Sequence, residues 1–187
     1  MLKFALIGAG RIGRMHGSII ADHTKTELVW VYDILEDNAI TTANTTQARV
    51  AKSLDEIFED DSLDAVLIAS STETHAELIV RAAKAGKAVF CEKPIDLDIK
   101  RVDWCREQIQ GLQVPIQIGF NRRFDPSHRK VADTARDGGI GNLEQVIITS
   151  RDPNPPPKEY YLASGGMFRD MTIHDFDMAR YVLNEEV

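Results

Sequence analysis

The stretch from Lys3 to Gly13, KFALIGAGRIG, constrains the fold more than any other part of the chain. An apolar run of strand length enters glycines spaced G-x-G-x-x-G at Gly8, Gly10 and Gly13, and a helical pattern opens at Arg11. Alone, that spacing says little, because glycines cluster in many turns. Between a strand and a helix it has the context that a dinucleotide-binding turn requires. In such a turn the first glycine permits the tight bend, the second lets the backbone approach a pyrophosphate, and the third lets helix and strand pack closely. Arg11 and Ile12 lie in the same turn, where the helix N-terminus offers N–H groups and a positive dipole end to phosphates. The bland alternative is a structural glycine turn with no ligand.

Beyond the turn, the pattern fits a parallel sheet. Short β-branched runs alternate with longer helical patterns, the signature of βαβ units. Strands are expected over 3–10, 27–33, 49–53, 64–70, 87–94 and 114–120, with helices over 11–22, 36–47, 74–86 and about 98–110. The run DAVLIAS (64–70) is apolar almost throughout, as a strand buried on both faces should be. Ser53 and Glu56 form a Ser-x-x-Glu capping box before a short helix. From Asn121 the style changes: a polar helix ends in glycines at 138–139, and LEQVIITSRD (143–152) reads as a strand of alternating character. The expected organisation is a nucleotide-binding domain over 1–120 and the N-terminal part of another domain over 121–187. The fold class is α/β, a doubly wound parallel sheet followed by the start of an α+β domain with an open, mostly antiparallel sheet.

Charge and composition exclude several function classes. A net charge of −7 argues against nucleic-acid binding, which needs a basic face. No apolar run approaches the ~20 residues that span a bilayer. Cys91 and Cys105 form neither a framework nor a CxxC pair, so a reducing, cytoplasmic setting is expected.

Asp33 stands twenty residues beyond Gly13, closing the second strand. Its carboxylate is placed to accept from ribose hydroxyls and to repel a 2′-phosphate, and Ile34 offers no compensating charge. NAD is therefore expected over NADP. In SSTETHAEL (70–78), Thr72 or Thr74 either caps the next helix or lies with Ser70 beside the cofactor, and His75 reads equally as structural or as a cofactor-site residue. Glu92 and Lys93 end the fifth strand at the carboxyl edge of the sheet. From there the Lys93 ammonium can polarise a substrate oxygen and stabilise an alkoxide. Near the end, GGMFRDMTIHDFDMARYV (165–182) sets Asp170 four residues before His174, on what reads as one helix face. His174, an imidazole with an ordinary pKa of ~6.5, suits a general base, with Asp170 fixing its tautomer or holding a substrate hydroxyl. Asp177 reads either as a partner of His174 or as a solvated residue. No metal is expected, because Asp175 points about 100° away from His174 and no second histidine lies at ligand spacing.

Taken in order, GAGRIG, Asp33, STETHAEL, CEKP, GFNRRFDPSH and GGMFRDMTIHDFDMARY resemble the glucose–fructose oxidoreductase/inositol dehydrogenase/MocA family, most closely its myo-inositol 2-dehydrogenase branch. The resemblance covers the whole chain. It implies an N-terminal Rossmann domain that holds NAD(P), with a second domain supplying the substrate site and the subunit contacts of a homo-oligomer. It implies Lys93, Asp170 and His174 as the catalytic set, oxidising a cyclic polyol or sugar hydroxyl, with myo-inositol the first candidate. It also implies that one of Arg122 and Arg123 lines the site, Arg123 being preferred. Members of the family continue beyond the helix carrying His174 by nearly as much chain again, so a fragment or a natural truncation is expected. The competing class is a cofactor-binding module without turnover.

Overall fold

A computed structural model describes residues 1–151, 154–155 and 164–186. The chain divides into two compact units, Met1–Gly119 and Phe120–Val187.

The first unit is a six-stranded, wholly parallel sheet. Its strands are β1 (Leu2–Ile7), β2 (Thr26–Tyr32), β3 (Arg49–Val50), β4 (Ala65–Ile68), β5 (Ala88–Cys91) and β6 (Ile116–Ile118), in the order β3-β2-β1-β4-β5-β6. The helices are α1 (Arg11–Asp22), α2 (Glu36–Thr46), α3 (Leu54–Phe58), α4 (Thr72–Lys84) and α5 (Ile99–Ile109). The order reverses between β1 and β4, so the crevice of a doubly wound sheet opens at the carboxyl ends of those two strands.

Period-two alternation divides the core between the two faces. Ala5 and Ile7 of β1 and Val66 and Ile68 of β4 join Ala76 and Ile79 of α4 on one side. Leu6 and Leu67 join Ile20 of α1 and Ala39 and Ala43 of α2 on the other. Every residue of β4 is buried, which explains its unbroken apolar run; each large side chain so buried contributes roughly 1.5–3 kcal/mol.

Local signals end the helices where the sequence suggests. Gln47 caps α2 in the left-handed region at φ 60°, and Gly86, at φ 72°, follows α4. The Ser53 side chain accepts from the Glu56 N–H, as a capping box requires. The return bond is displaced by one residue, since the Glu56 carboxylate accepts from the N–H of Lys52. Neither Thr72 nor Thr74 caps α4: Ser71 takes that position without a side-chain bond, and Thr74 Oγ1 donates back to the Ser71 carbonyl.

In the second unit a 3-10 turn (Asn121–Phe124) precedes α6 (Pro126–Arg136), which Asp125 caps by accepting from the N–H groups of Ser127 and His128. Two further helices, α7 (Met167–Asp170) and α8 (Thr172–Leu183), come after it. Ala132, Met178 and Val182 form a small core, with Leu143, Val146 and Tyr181 against it.

The structure corrects two expectations. Residues 143–151 carry no strand, because no described segment lies alongside to supply a ladder, and an extended segment without one is not a β-strand; Asp152 lies outside the described residues. The expected single helix through Asp170 and His174 is also interrupted. Met171 joins α7 to α8, and the His174 N–H bonds the Met171 carbonyl at 3.0 Å. Among the described residues, no helix is long and apolar enough to cross a membrane.

Candidate functional site

The three glycines of the first turn do three different things. Gly8 adopts φ 92°, and a methyl there would lie 2.4 Å from the Ser70 nitrogen. A methyl at Gly13 would lie 1.8 Å from the Gly8 carbonyl oxygen. At Gly10 an added methyl meets nothing within 4 Å. Gly8 and Gly13 are thus required by the fold, whereas Gly10 borders open space at the start of α1. That helix has no side-chain cap bond and no acidic residue in its first turn, so its leading N–H groups face that space as bare donors. This is the cradle a dinucleotide pyrophosphate requires.

A cleft of about 570 Å³ extends from the turn. Gly8, Gly10, Tyr32, Asp33, Ser70, Ser71, Glu73 and Thr74 supply its polar lining, and Ile34, Leu35, Leu54 and Leu78 much of its apolar wall. Asp33 ties the edge of the cleft to the glycine turn: one oxygen accepts from the Ala9 N–H at 2.6 Å, the other from the Leu35 N–H at 2.8 Å. A carboxylate oxygen has lone pairs for a second donor, so both bonds are compatible with ribose hydroxyls. Ser70 Oγ donates to Thr74 Oγ1 at 2.6 Å, which fixes the loop after β4.

The remaining cofactor candidates lie off this lining. Arg11 is exposed at the start of α1, Ile12 is half-buried beside it, and Thr72 is the first residue of α4. His75 is buried, with Nδ1 2.8 Å from the Pro94 carbonyl and Nε2 3.0 Å from the Ser70 carbonyl. Glu92 accepts from His16 Nε2 at 2.8 Å. Gly119 leaves room for that carboxylate, since a methyl there would lie 3.2 Å from Oε2. Lys93 is half-buried in the turn after β5.

In the second unit, Arg123 grips the buried Asp177 with two nitrogens, Nε at 2.8 Å and Nη2 at 2.6 Å. This fork raises the Arg123 pKa above its ordinary value, and Asp177 is buried rather than solvated. Arg122 donates to Ser150 Oγ at 3.0 Å and to Asp175, which also accepts from Ser150. Asp170 and His174 are both half-buried, and the His174 ring meets Phe120 edge-on at 6.3 Å. His16 and Ser150 escape sequence reasoning, because their partners lie 76 and 25 residues away and neither has a local motif. Burial pushes both the Cys91 and Cys105 thiols up, so neither is a ready nucleophile.

Residues 2–120 match the oxidoreductase family described as an NAD-binding Rossmann fold, and residues 128–187 match the GFO/IDH/MocA C-terminal domain. The chain is 48% identical over 185 residues to an inositol 2-dehydrogenase of Rhizobium meliloti, covering 99% of this chain and 56% of that protein. It is 44% identical over 187 residues to a myo-inositol 2-dehydrogenase of Thermotoga maritima, covering 100% of this chain and again 56% of the relative. Among solved structures, a scyllo-inositol dehydrogenase from Lactobacillus casei with bound NAD(H) and scyllo-inositol superposes with a TM-score of 0.85 at 31% identity, covering 100% of this chain and 57% of that one. The chain therefore spans a little over half the length of these relatives.

Proposed function

The chain belongs to the GFO/IDH/MocA oxidoreductase family, and on that premise we propose that it serves the NAD-dependent oxidation of a cyclic polyol hydroxyl to a ketone, with myo-inositol the first substrate to test. The observation that carries the reading is the glycine turn, where Gly10 alone borders open space while Gly8 and Gly13 are packed shut. Two relatives described as inositol 2-dehydrogenases, similar along this entire chain, support the substrate class.

In this reading the turn at Gly8, Gly10 and Gly13, with Arg11 and Ile12, holds the pyrophosphate, and Asp33 accepts from the adenosine ribose. Ser70 lines the cofactor cleft, and Thr72 opens the helix beside it. When bound, NAD takes up the two electrons and the hydrogen leaving the carbinol carbon; the chain's own groups bind, orient and move the proton. His174 accepts the hydroxyl proton as general base. Asp170 orients the imidazole or a neighbouring substrate hydroxyl, and the Lys93 ammonium stabilises the negative charge that develops on the oxygen. Arg123, the arginine preferred for the site, also holds Asp177 in the middle of α8.

The test is direct. The purified chain is mixed with NAD and myo-inositol, then scyllo-inositol, and reduced cofactor is followed by absorbance; His174→Ala should abolish any signal. NAD binding without turnover on either polyol would overturn the enzymatic reading and leave a binding module.

A further inference from the structure

Two histidines that the chemistry above does not use converge on the residues either side of Lys93. On one side, His16 of α1 donates to the Glu92 carboxylate at 2.8 Å and packs edge-on against Phe90, ring centroids 5.3 Å apart. The missing side chain at Gly119 makes the pocket for that carboxylate. On the other side, His75 of α4, only 2% exposed, reaches the Pro94 carbonyl with Nδ1 at 2.8 Å and the Ser70 carbonyl with Nε2 at 3.0 Å. The two helices come from opposite layers: α1 packs with the Leu6 and Leu67 face, α4 with the Ile7 and Ile68 face.

We propose that His16 and His75 are positioning residues that brace the Glu92–Lys93–Pro94 turn from both faces of the sheet and so fix where Lys93 presents its ammonium. The inference rests on the reading of Lys93 as a catalytic group. A turn at the end of a strand keeps only part of the strand's ladder. Here the Glu92 N–H still bonds the Ile68 carbonyl at 2.9 Å, and beyond it the anchoring passes to the Glu92 side chain and the Pro94 carbonyl. Their anchors sit on long helices, not on loops, which suits a group that must be held to a fraction of an ångström. A neutral imidazole has a single N–H to donate, and the shorter contact, Nδ1 to the Pro94 carbonyl at 2.8 Å, is the hydrogen bond that the brace uses.

The two arms of His75 can be cut separately. An asparagine amide nitrogen falls near the Nδ1 position and a glutamine amide nitrogen near the Nε2 position. His75→Asn therefore keeps a donor only toward Pro94, and His75→Gln only toward Ser70. The parallel pair at the half-buried site is His16→Gln, which keeps the bond to Glu92, and His16→Leu, which does not. Amide exchange at Lys93 and Ile95 should quicken about tenfold or more in His75→Gln and His16→Leu, and stay near the parent rate in His75→Asn and His16→Gln. Turnover should divide in the same way, with kcat down about 10–100-fold in the first two variants, as expected for a catalytic group displaced by about 1 Å.

Unchanged exchange at 92–95 in His75→Gln and His16→Leu overturns the proposal, as does identical behaviour of the two His75 variants. If the His75 variants do not fold, the His16 pair decides on the same readouts. Exchange that divides as expected in a parent chain that turns over no polyol would sustain the brace and remove the catalytic reading of Lys93.

Discussion

The contrast among the glycines of the first turn can be tested with one methyl group. In Gly13→Ala the new carbon would lie 1.8 Å from the Gly8 carbonyl oxygen and 2.8 Å from its carbon. Both obstacles are backbone, so α1 must retreat from β1 by more than ~1 Å. That motion would open the packing of Gly17 against Leu6 and Leu28, now 3.3 and 3.5 Å from any added carbon at that position. Overpacking that flexible side chains absorb costs about 1–3 kcal/mol. With no side chain to yield, we expect more than ~4 kcal/mol, enough to unfold a domain of ordinary stability.

Gly10→Ala should behave in the opposite way. The residue sits at φ −67° and ψ −167°, extended backbone that alanine adopts, and its methyl meets nothing within 4 Å. Alanine is a poorer N-cap than glycine by about 0.5–1 kcal/mol, and it offsets this by restricting the unfolded chain by about 0.4–1 kcal/mol. The net change should stay within ~1 kcal/mol, a melting shift of no more than about 4 °C in a chain of this size. The ligand cost is larger, because the methyl takes the space through which a phosphate reaches the leading N–H groups of α1. Losing one or two charged hydrogen bonds at about 1.5–3 kcal/mol each weakens NAD binding about 10–100-fold or more. Thermal denaturation gives the first quantity and calorimetric titration with NAD the second. A Gly10→Ala chain that binds NAD like its parent, or melts as low as Gly13→Ala, would refute the division of roles.

The other predictions concern charge. Asp33→Ala should weaken NAD binding about tenfold or more by releasing the Ala9 N–H, and should narrow the preference for NAD over NADP by removing the repelling carboxylate; paired titrations with the two cofactors measure both effects. Hydrogen bonds from Ser62 and Trp30 hold the Asp60 carboxyl down at about 2, below its ordinary 3.8. Its stabilisation is therefore complete above pH ~4 and is lost as pH falls toward ~2. After discounting for solvent, it is worth ~1 kcal/mol, so Asp60→Asn should flatten the acid limb of the stability curve by that amount. Arg123→Ala strands the buried Asp177 and should cost about 3 kcal/mol or more, exceeding the cost of Asp177→Asn; denaturant unfolding of the second unit compares them.

The range of each interaction decides whether the sequence reveals it. The order of strands and helices through Gly119 is local in origin: the unbroken apolar run of β4, the capping box at Ser53 and the glycine after α4 each act within a few residues, and each is found where the pattern predicts. Cofactor chemistry is legible for the same reason, since Gly8, Gly10 and Gly13 lie within six residues. Of the strand expected over 143–152, residues 143–151 carry none, because alternation reports a two-faced surface, whereas a strand also needs a neighbour, and no described segment provides one. The helix through Asp170 and His174 fails at Met171, where no proline or glycine marks the break.

Residues whose roles depend on distant partners lie beyond local reading. Arg123 reads as reaching the cofactor phosphates, the substrate or a neighbouring carboxylate, because nothing near it in sequence singles out Asp177, 54 residues on. His75 reads as evenly balanced between structure and cofactor because both of its acceptors are main-chain carbonyls, which leave no trace in residue identity. With its ring nitrogens 2.8 and 3.0 Å from the carbonyls of Pro94 and Ser70 and only 2% of its surface exposed, His75 is proposed to act on Lys93 through the backbone beside it. As residue types near the carboxyl edge of the sheet, His75 and Lys93 look equally functional. Burial separates them: His75 is 2% exposed, whereas Lys93 is half-buried.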